Sequence, residues 1–169
     1  MTDIPIYQVD AFASQVFAGN PAAVCPLDDW LPAEVMQSIA LENNLSETAF
    51  FVKDGGDGYH LRWFTPAQEV DLCGHATLGT AFVISTYLDK GRDEVRFQSR
   101  SGPLTVTRDG DLYTLDFPAL PPGRMADDAK VADALGASPE ELWDEMDRMA
   151  VFAGEAEVAA LSPDMAKIA

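Results

Sequence analysis

Basic residues are scarce in this chain of 169 residues, which has 11 Lys and Arg against 28 Asp and Glu and a formal net charge of −17. Residues 1–52 contain neither Lys nor Arg. A nucleic-acid-binding protein needs cations to neutralise phosphates, and anionic membranes attract basic segments. The charge therefore excludes nucleic acid and membrane surfaces as partners. It indicates a solvated acidic surface that aids solubility.

Cysteine and histidine are also rare, with two of each. The cysteines lack CxxC spacing, so we expect neither a disulfide framework nor a structural metal, and a reducing cytoplasm fits best. No basic stretch followed by an apolar one opens the chain, so we expect no signal peptide. Glu69 and Asp71 alternate along the chain, but without a third ligand they do not predict a metal site.

Charged residues are absent from Leu72 to Leu88. A helix that is apolar nearly all round belongs in a core, and the run is too short for a membrane span of about 20 residues. The free N–H groups of its first turn, at Gly74 and His75, would favour an anion. Cys73 places a thiol beside them. This corner is typical of a small-anion binding site.

The remaining pattern predicts an α+β fold. We expect strands over 4–9, 22–26, 47–53 and 59–64, a helix from Pro32 to Asn43, and further strands around the Asp109-Gly110 turn. Residues 1–118 form a first lobe in this interpretation. Residues 119–169 form a linker and the incomplete start of a second lobe, in which Ser138-Pro139-Glu140-Glu141 predicts the opening of a short helix.

Five segments resemble the PhzF-like proteins of the phenazine-biosynthesis family. They are Ile6–Phe12 (IYQVDAF), Phe17–Val24 (FAGNPAAV), Asn44–Phe50 (NLSETAF), Arg62–Pro66 (RWFTP) and Cys73–Gly79 (CGHATLG). The similarity is close over residues 1 to about 120. The order of the motifs along the chain matches the family, which makes the resemblance specific.

The resemblance implies a diaminopimelate epimerase-like fold, in which each of two lobes is a strand barrel around a central helix and the active site lies between them. It implies an isomerase without metal or cofactor that moves a proton on a small amino-acid-like substrate. Glu47 matches the general acid/base. Ser46, Gly74, His75 and Asn20 match substrate-binding positions. The family also implies a homodimer.

Two alternatives remain open. Epimerases and racemases of the wider fold use a cysteine from each lobe, and Cys73 stands where their first cysteine does. A helix N-terminus would lower the pKa of such a thiol. The other alternative is a non-catalytic remnant that dimerises, because the Asp-Pro-x-x-Gly-Ser motif of the family's second lobe does not occur before Ala169.

Overall fold

The computed structural model of the chain describes residues 3–15 and 17–168. The chain divides into two compact units, with the boundary between Phe117 and Pro118. The boundary lies at the start of the proline-rich segment Pro118–Gly123, which cannot continue a regular strand ladder.

The first unit is built on one curled sheet of eight strands. Their order is β1-β2-β3-β4-β6-β7-β8, with β5 paired to the free part of β4. The β2–β3 and β4–β6 pairs are parallel and the others are antiparallel. The strands are β1 (Tyr7–Ala11), β2 (Asn20–Pro26), β3 (Glu47–Lys53), β4 (Tyr59–Phe64), β5 (Glu69–Val70), β6 (Glu94–Ser99), β7 (Gly102–Asp109) and β8 (Leu112–Asp116).

Two helices cover opposite faces of this sheet. Helix α1 (Ala33–Asn43) connects β2 to β3 and packs on β3 and β4. Helix α2 (Gly74–Val83) contacts β1, β2 and β3 as well as β7 and β8, so the sheet curls around it. A π-helical turn (Ile84–Leu88) completes the uncharged run. None of the helices in the described residues is both long and apolar enough to cross a membrane.

The core explains why Glu47 faces α2. Alternate residues of a strand point to opposite faces. Ala49 and Phe51 of β3 pack in the cluster that surrounds α2, whereas Phe50 packs under α1 with Met36. Glu47, two residues before Ala49, therefore lies on the α2 side.

The second unit holds a small antiparallel sheet and three short helices. The elements are β9 (Gly123–Met125), α3 (Ala129–Leu135), β10 (Glu141–Asp144), β11 (Arg148–Val151), α4 (Glu155–Ala159) and α5 (Met165–Ile168). The predicted helix opening at Ser138–Glu141 is wrong, because Glu141 begins strand β10. There Leu142 is buried and pairs with Met125 and Ala150, so strand pairing overrides the local capping signal.

Candidate active site

Glu47 is the first residue of β3 and lies beside Ala22 in the parallel pairing with β2. Its side chain is 19% exposed. A carboxylate in this position is partly withdrawn from water, but it can still be reached from the edge of the sheet. Such a group can exchange a proton with a bound molecule.

The start of α2 faces this carboxylate. Cys73 is the residue that precedes the helix, and its extended backbone (φ −150°) turns the chain into the first turn at Gly74. No side chain makes a capping hydrogen bond there. The Thr77 hydroxyl donates to the Cys73 carbonyl at 2.5 Å, and this hydrogen bond ties the residue before the helix to its first turn. The early N–H groups of the helix therefore lack a side-chain cap, a condition that favours an anion at this helix end.

Glu47, Cys73 and His75 form a compact cluster, with one ligand atom from each within 4.8 Å of the others. His75 Nε2 lies 3.2 Å from Glu47 Oε2, and His75 Nδ1 lies 3.5 Å from Cys73 Sγ. The carboxylate and imidazole atoms are close without being aligned for a hydrogen bond. Both Glu47 Oε2 and His75 Nε2 are buried without a hydrogen-bond partner among the described residues.

The thiol in the cluster is not activated. Burial raises the pKa of Cys73 to about 12, and the neighbouring Glu47 carboxylate raises it further. The N–H groups of Ala76 and His75 face the sulfur and oppose this shift, but they are outweighed. The helix N-terminus therefore lowers the pKa of Cys73 as expected, but desolvation and the Glu47 charge exceed its effect, and the net shift is upward.

Asn20 and Ser46 meet next to Glu47. The Ser46 hydroxyl donates to Asn20 Oδ1 at 3.1 Å; Asn20 begins β2, and Ser46 immediately precedes β3, the strand parallel to it. The backbone just before Asn20 requires glycine at position 19, because a Cβ there would lie 2.3 Å from the Ala11 carbonyl oxygen. The structure thus brings Asn20 to Ser46 and gathers Glu47, Cys73 and His75, with Gly74 between the last two in sequence.

Glu69 and Asp71 are engaged elsewhere. Glu69 accepts hydrogen bonds from Arg62 at 2.7 and 2.9 Å and pairs with Arg100 at 2.8 Å, and Arg100 also pairs with Asp71. The Arg62 guanidinium lowers the pKa of the Glu69 carboxyl, chiefly by hydrogen bonding. These carboxylates hold β4, β5 and the end of β6 together.

One neighbour of the site, Phe117, was missed by the sequence analysis. The Phe117 ring lies over Gly74, since a Cβ at Gly74 would come within 3.0 Å of it. Trp63, on the α2 side of β4, is buried and its indole N–H has no partner in the part of the chain that the structure describes. Nothing local in the sequence signals the contact between Phe117 and Gly74, which are more than forty positions apart. The Trp63 side chain lay inside a motif already noted.

In the first unit a sheet curls round the apolar helix α2, and the Glu47 carboxylate lies at the start of that helix. This arrangement is the fold of the epimerase-like class. A solved structure named as a predicted epimerase, from Pseudomonas aeruginosa, shares this fold with a TM-score of 0.68 at 22% identity, over 83% of this chain and 55% of that one. The predicted fold is thereby confirmed.

The chain belongs to the phenazine biosynthesis-like protein family (PhzC-PhzF), whose model matches residues 9–168. An uncharacterized isomerase of Pseudomonas aeruginosa is 52% identical over 98% of this chain and 64% of its own length. A PhzF family crystal structure from Enterococcus faecalis has a TM-score of 0.89 and 51% identity, over 97% of this chain and 63% of that one. The resemblance predicted from the motifs is confirmed. The chain spans a little under two thirds of the length of these relatives.

Proposed function

We propose that this chain carries the general acid/base of a PhzF-like isomerase. The observation that supports the proposal most directly is the 3.2 Å approach of Glu47 Oε2 to His75 Nε2 at the start of a buried helix, with neither atom hydrogen-bonded. Membership of a family with a relative named as an isomerase agrees with it. The substrate is a small amino-acid-like molecule.

In the proposed reaction Glu47 removes a proton from one carbon of the substrate and returns it to another, so a double bond moves and no redox partner is needed. The early N–H groups of α2 at Gly74 and His75 hold an anionic group of the substrate. Asn20 and Ser46, joined by a hydrogen bond, offer further polar contacts. His75 places an imidazole between the carboxylate and the thiol, and there it orients Glu47 or donates to the substrate. Because the proton moves between protein and substrate alone, the chemistry requires no cofactor.

Glu47 is preferred to Cys73 as the base. A thiol with a pKa of about 12 is almost entirely protonated near neutrality. A two-base cysteine mechanism needs a reactive thiolate at this position. The Glu47 carboxylate is the least buried acid/base group of the cluster, with 19% of its side chain exposed, so it is the group that a substrate can reach.

The test is proton exchange from heavy water into a panel of small cyclic and acyclic amino acids, followed by mass spectrometry. Glu47→Gln, which keeps the shape of the side chain and removes the base, should reduce exchange by at least the roughly 10²-fold typical of a lost general base. Exposed Glu42, at the end of α1, supplies the matched control, and Glu42→Gln should leave exchange unchanged. The comparison is made both in this chain and in the same chain extended to the length of its relatives.

Exchange that persists in Glu47→Gln would reject Glu47 as the base. Loss of exchange in Cys73→Ala, with Glu47→Gln still active, would instead favour the cysteine-dependent epimerase. If the wild-type chain exchanges no substrate at either length and forms a stable dimer, the non-catalytic dimerising remnant becomes the better account. Light scattering measures that dimer, which the proposal also includes for the active protein.

A further inference from the structure

The cluster of Glu47, Cys73 and His75 unites three kinds of ligand that bind zinc. Carboxylate oxygen, cysteine sulfur and imidazole nitrogen are the protein ligands of Zn²⁺, and sites with three of them leave a fourth position open for water or substrate. All three side chains are largely buried, with His75 9% exposed. Unlike Glu69, whose oxygens are held by two arginines, Glu47 has a buried oxygen without a hydrogen-bond partner in the described ranges.

The ligand atoms lie close enough to reach one ion after a small side-chain adjustment. Around a tetrahedral zinc, sulfur, nitrogen and oxygen ligands lie roughly 3.3 to 3.6 Å from one another. The observed contacts are 3.5 Å from Cys73 Sγ to His75 Nδ1 and 3.2 Å from His75 Nε2 to Glu47 Oε2. Because one ion takes one ring nitrogen, binding requires a side-chain adjustment within a cluster whose ligand atoms already lie inside 4.8 Å.

We propose that Glu47, Cys73 and His75 form a Zn²⁺-binding site, and that a bound ion acts as an inhibitor rather than a cofactor. The thiol and imidazole select a borderline-soft ion over Mg²⁺ and Ca²⁺, which prefer oxygen ligands. Metal binding itself does not depend on the proposed isomerase activity. The inhibition does rest on that function, because an ion bound to Glu47 removes the carboxylate from proton transfer.

The binding test uses cobalt as a spectroscopic substitute for zinc. The full chain, freed of metal by a chelator, is titrated with Co²⁺ under anaerobic conditions. We expect one equivalent to produce visible bands of tetrahedral cobalt and a near-ultraviolet sulfur-to-cobalt charge-transfer band, both removed by one equivalent of Zn²⁺. Absence of the charge-transfer band, or displacement of cobalt by millimolar Mg²⁺, would overturn the proposal.

The chain offers a matched control for two of the ligands. Cys73→Ala and His75→Gln should each weaken zinc binding by at least the roughly 10- to 100-fold that loss of an outer-shell partner causes. Cys25→Ala and His60→Gln change the other cysteine and the other histidine, neither of which belongs to the cluster. These controls should bind as the wild type does. A larger loss in Cys25→Ala than in Cys73→Ala would assign the sulfur ligand elsewhere.

Glu47→Gln keeps the proposal testable if a buried variant fails to fold, because Glu47 is the most exposed of the three. Circular dichroism establishes folding before each titration. Weaker zinc binding in Glu47→Gln, with the cobalt–sulfur band retained, supports the carboxylate as the third ligand, and unchanged affinity removes it. These binding measurements can fail while proton exchange succeeds, or succeed while it fails, so the two proposals are separable.

Discussion

The environment of Cys73 disfavours its thiolate. Burial raises its pKa to about 12, so the thiolate fraction at pH 7 is only about 10⁻⁵. Cys25 is fully buried and its pKa is also raised to about 12. We therefore predict that iodoacetamide modifies neither cysteine of the folded, metal-free chain at an appreciable rate, whereas both react readily in denaturant. Peptide mapping by mass spectrometry follows each site separately.

Cys25 serves as the internal reference in this measurement. It is buried in the cluster under α1 and does not belong to the group of Glu47, Cys73 and His75. Rapid alkylation of Cys73 with Cys25 still protected would show that the thiol is activated. That outcome would restore the cysteine-dependent epimerase as a candidate. Equal protection of both would be consistent with Glu47 as the proton-exchanging group.

Glu69 gives a pH dependence whose direction can be stated. Hydrogen bonding from Arg62 lowers its pKa below the ordinary 4.5, so the folded chain stabilises the carboxylate. This stabilisation is fully present above pH 4.5 and is lost as the pH falls through the lower folded value. We predict that Glu69→Gln lowers the free energy of unfolding at pH 7 by about 1 to 3 kcal/mol, and that the difference from the wild type shrinks on acidification below pH 4.5.

Urea unfolding between neutral and acidic pH measures this effect, with Glu42→Gln as the control for a surface carboxylate. An equal loss of stability at every pH would contradict the prediction. Such a result would mean that Glu69 acts through packing alone.

Candidate residues could be nominated from the sequence, but their proximity could not. Glu47 and His75 lie 28 positions apart, and what joins them is the parallel pairing of β2 with β3 and the docking of α2 against that face. The Arg62–Glu69–Arg100 network was missed for the same reason. Its members lie on β4, β5 and the turn after β6, and nothing in the sequence states that these elements adjoin.

Helix α2 shows what local pattern can predict. The absence of charge from Leu72 to Leu88 correctly predicted a buried central helix, although Tyr87 and Leu88 at the end of the run are exposed. The pattern did not predict its last turn, which widens to a π-helix at Ile84–Leu88, where Ser85 bonds Tyr113. In β10 the prediction failed outright, since capping residues at Ser138–Glu141 are compatible with a helix but pairing with β9 and β11 is decisive.

The two glycines of α2 differ in the space around them. A Cβ at Gly79 would meet Val9 at 3.6 Å, an ordinary contact, and alanine is the better helix former. We predict that Gly79→Ala raises the free energy of unfolding by about 0.5 to 1 kcal/mol. A Cβ at Gly74 would meet the Phe117 ring at 3.0 Å, so Gly74→Ala should gain nothing or lose stability. Urea unfolding of both variants provides the comparison, and destabilisation by Gly79→Ala would contradict the inference that a Cβ fits beside Val9.

The two units of the chain differ sharply in their buried cores. The first contains two hydrophobic clusters built on α1, α2 and the curled sheet. In residues 118–168 the buried side chains are only Ala134 and Leu142, while Met146, Val158 and Met165 are more than half exposed. Burial of apolar surface is the dominant favourable term in folding. We infer that residues 118–168 are less stable against local opening than the first unit.

Hydrogen exchange followed by mass spectrometry tests this inference. Local opening free energies follow buried contacts, so amides of α2, β3 and β7 should exchange slowly and those of residues 118–168 at least about tenfold faster, which corresponds to about 1.4 kcal/mol. Urea at low concentration should speed exchange in the second unit first. If residues 118–168 instead exchange as slowly as the first unit and lose protection at the same urea concentration, the chain folds as one cooperative body. The division near residue 118 would then have no energetic meaning.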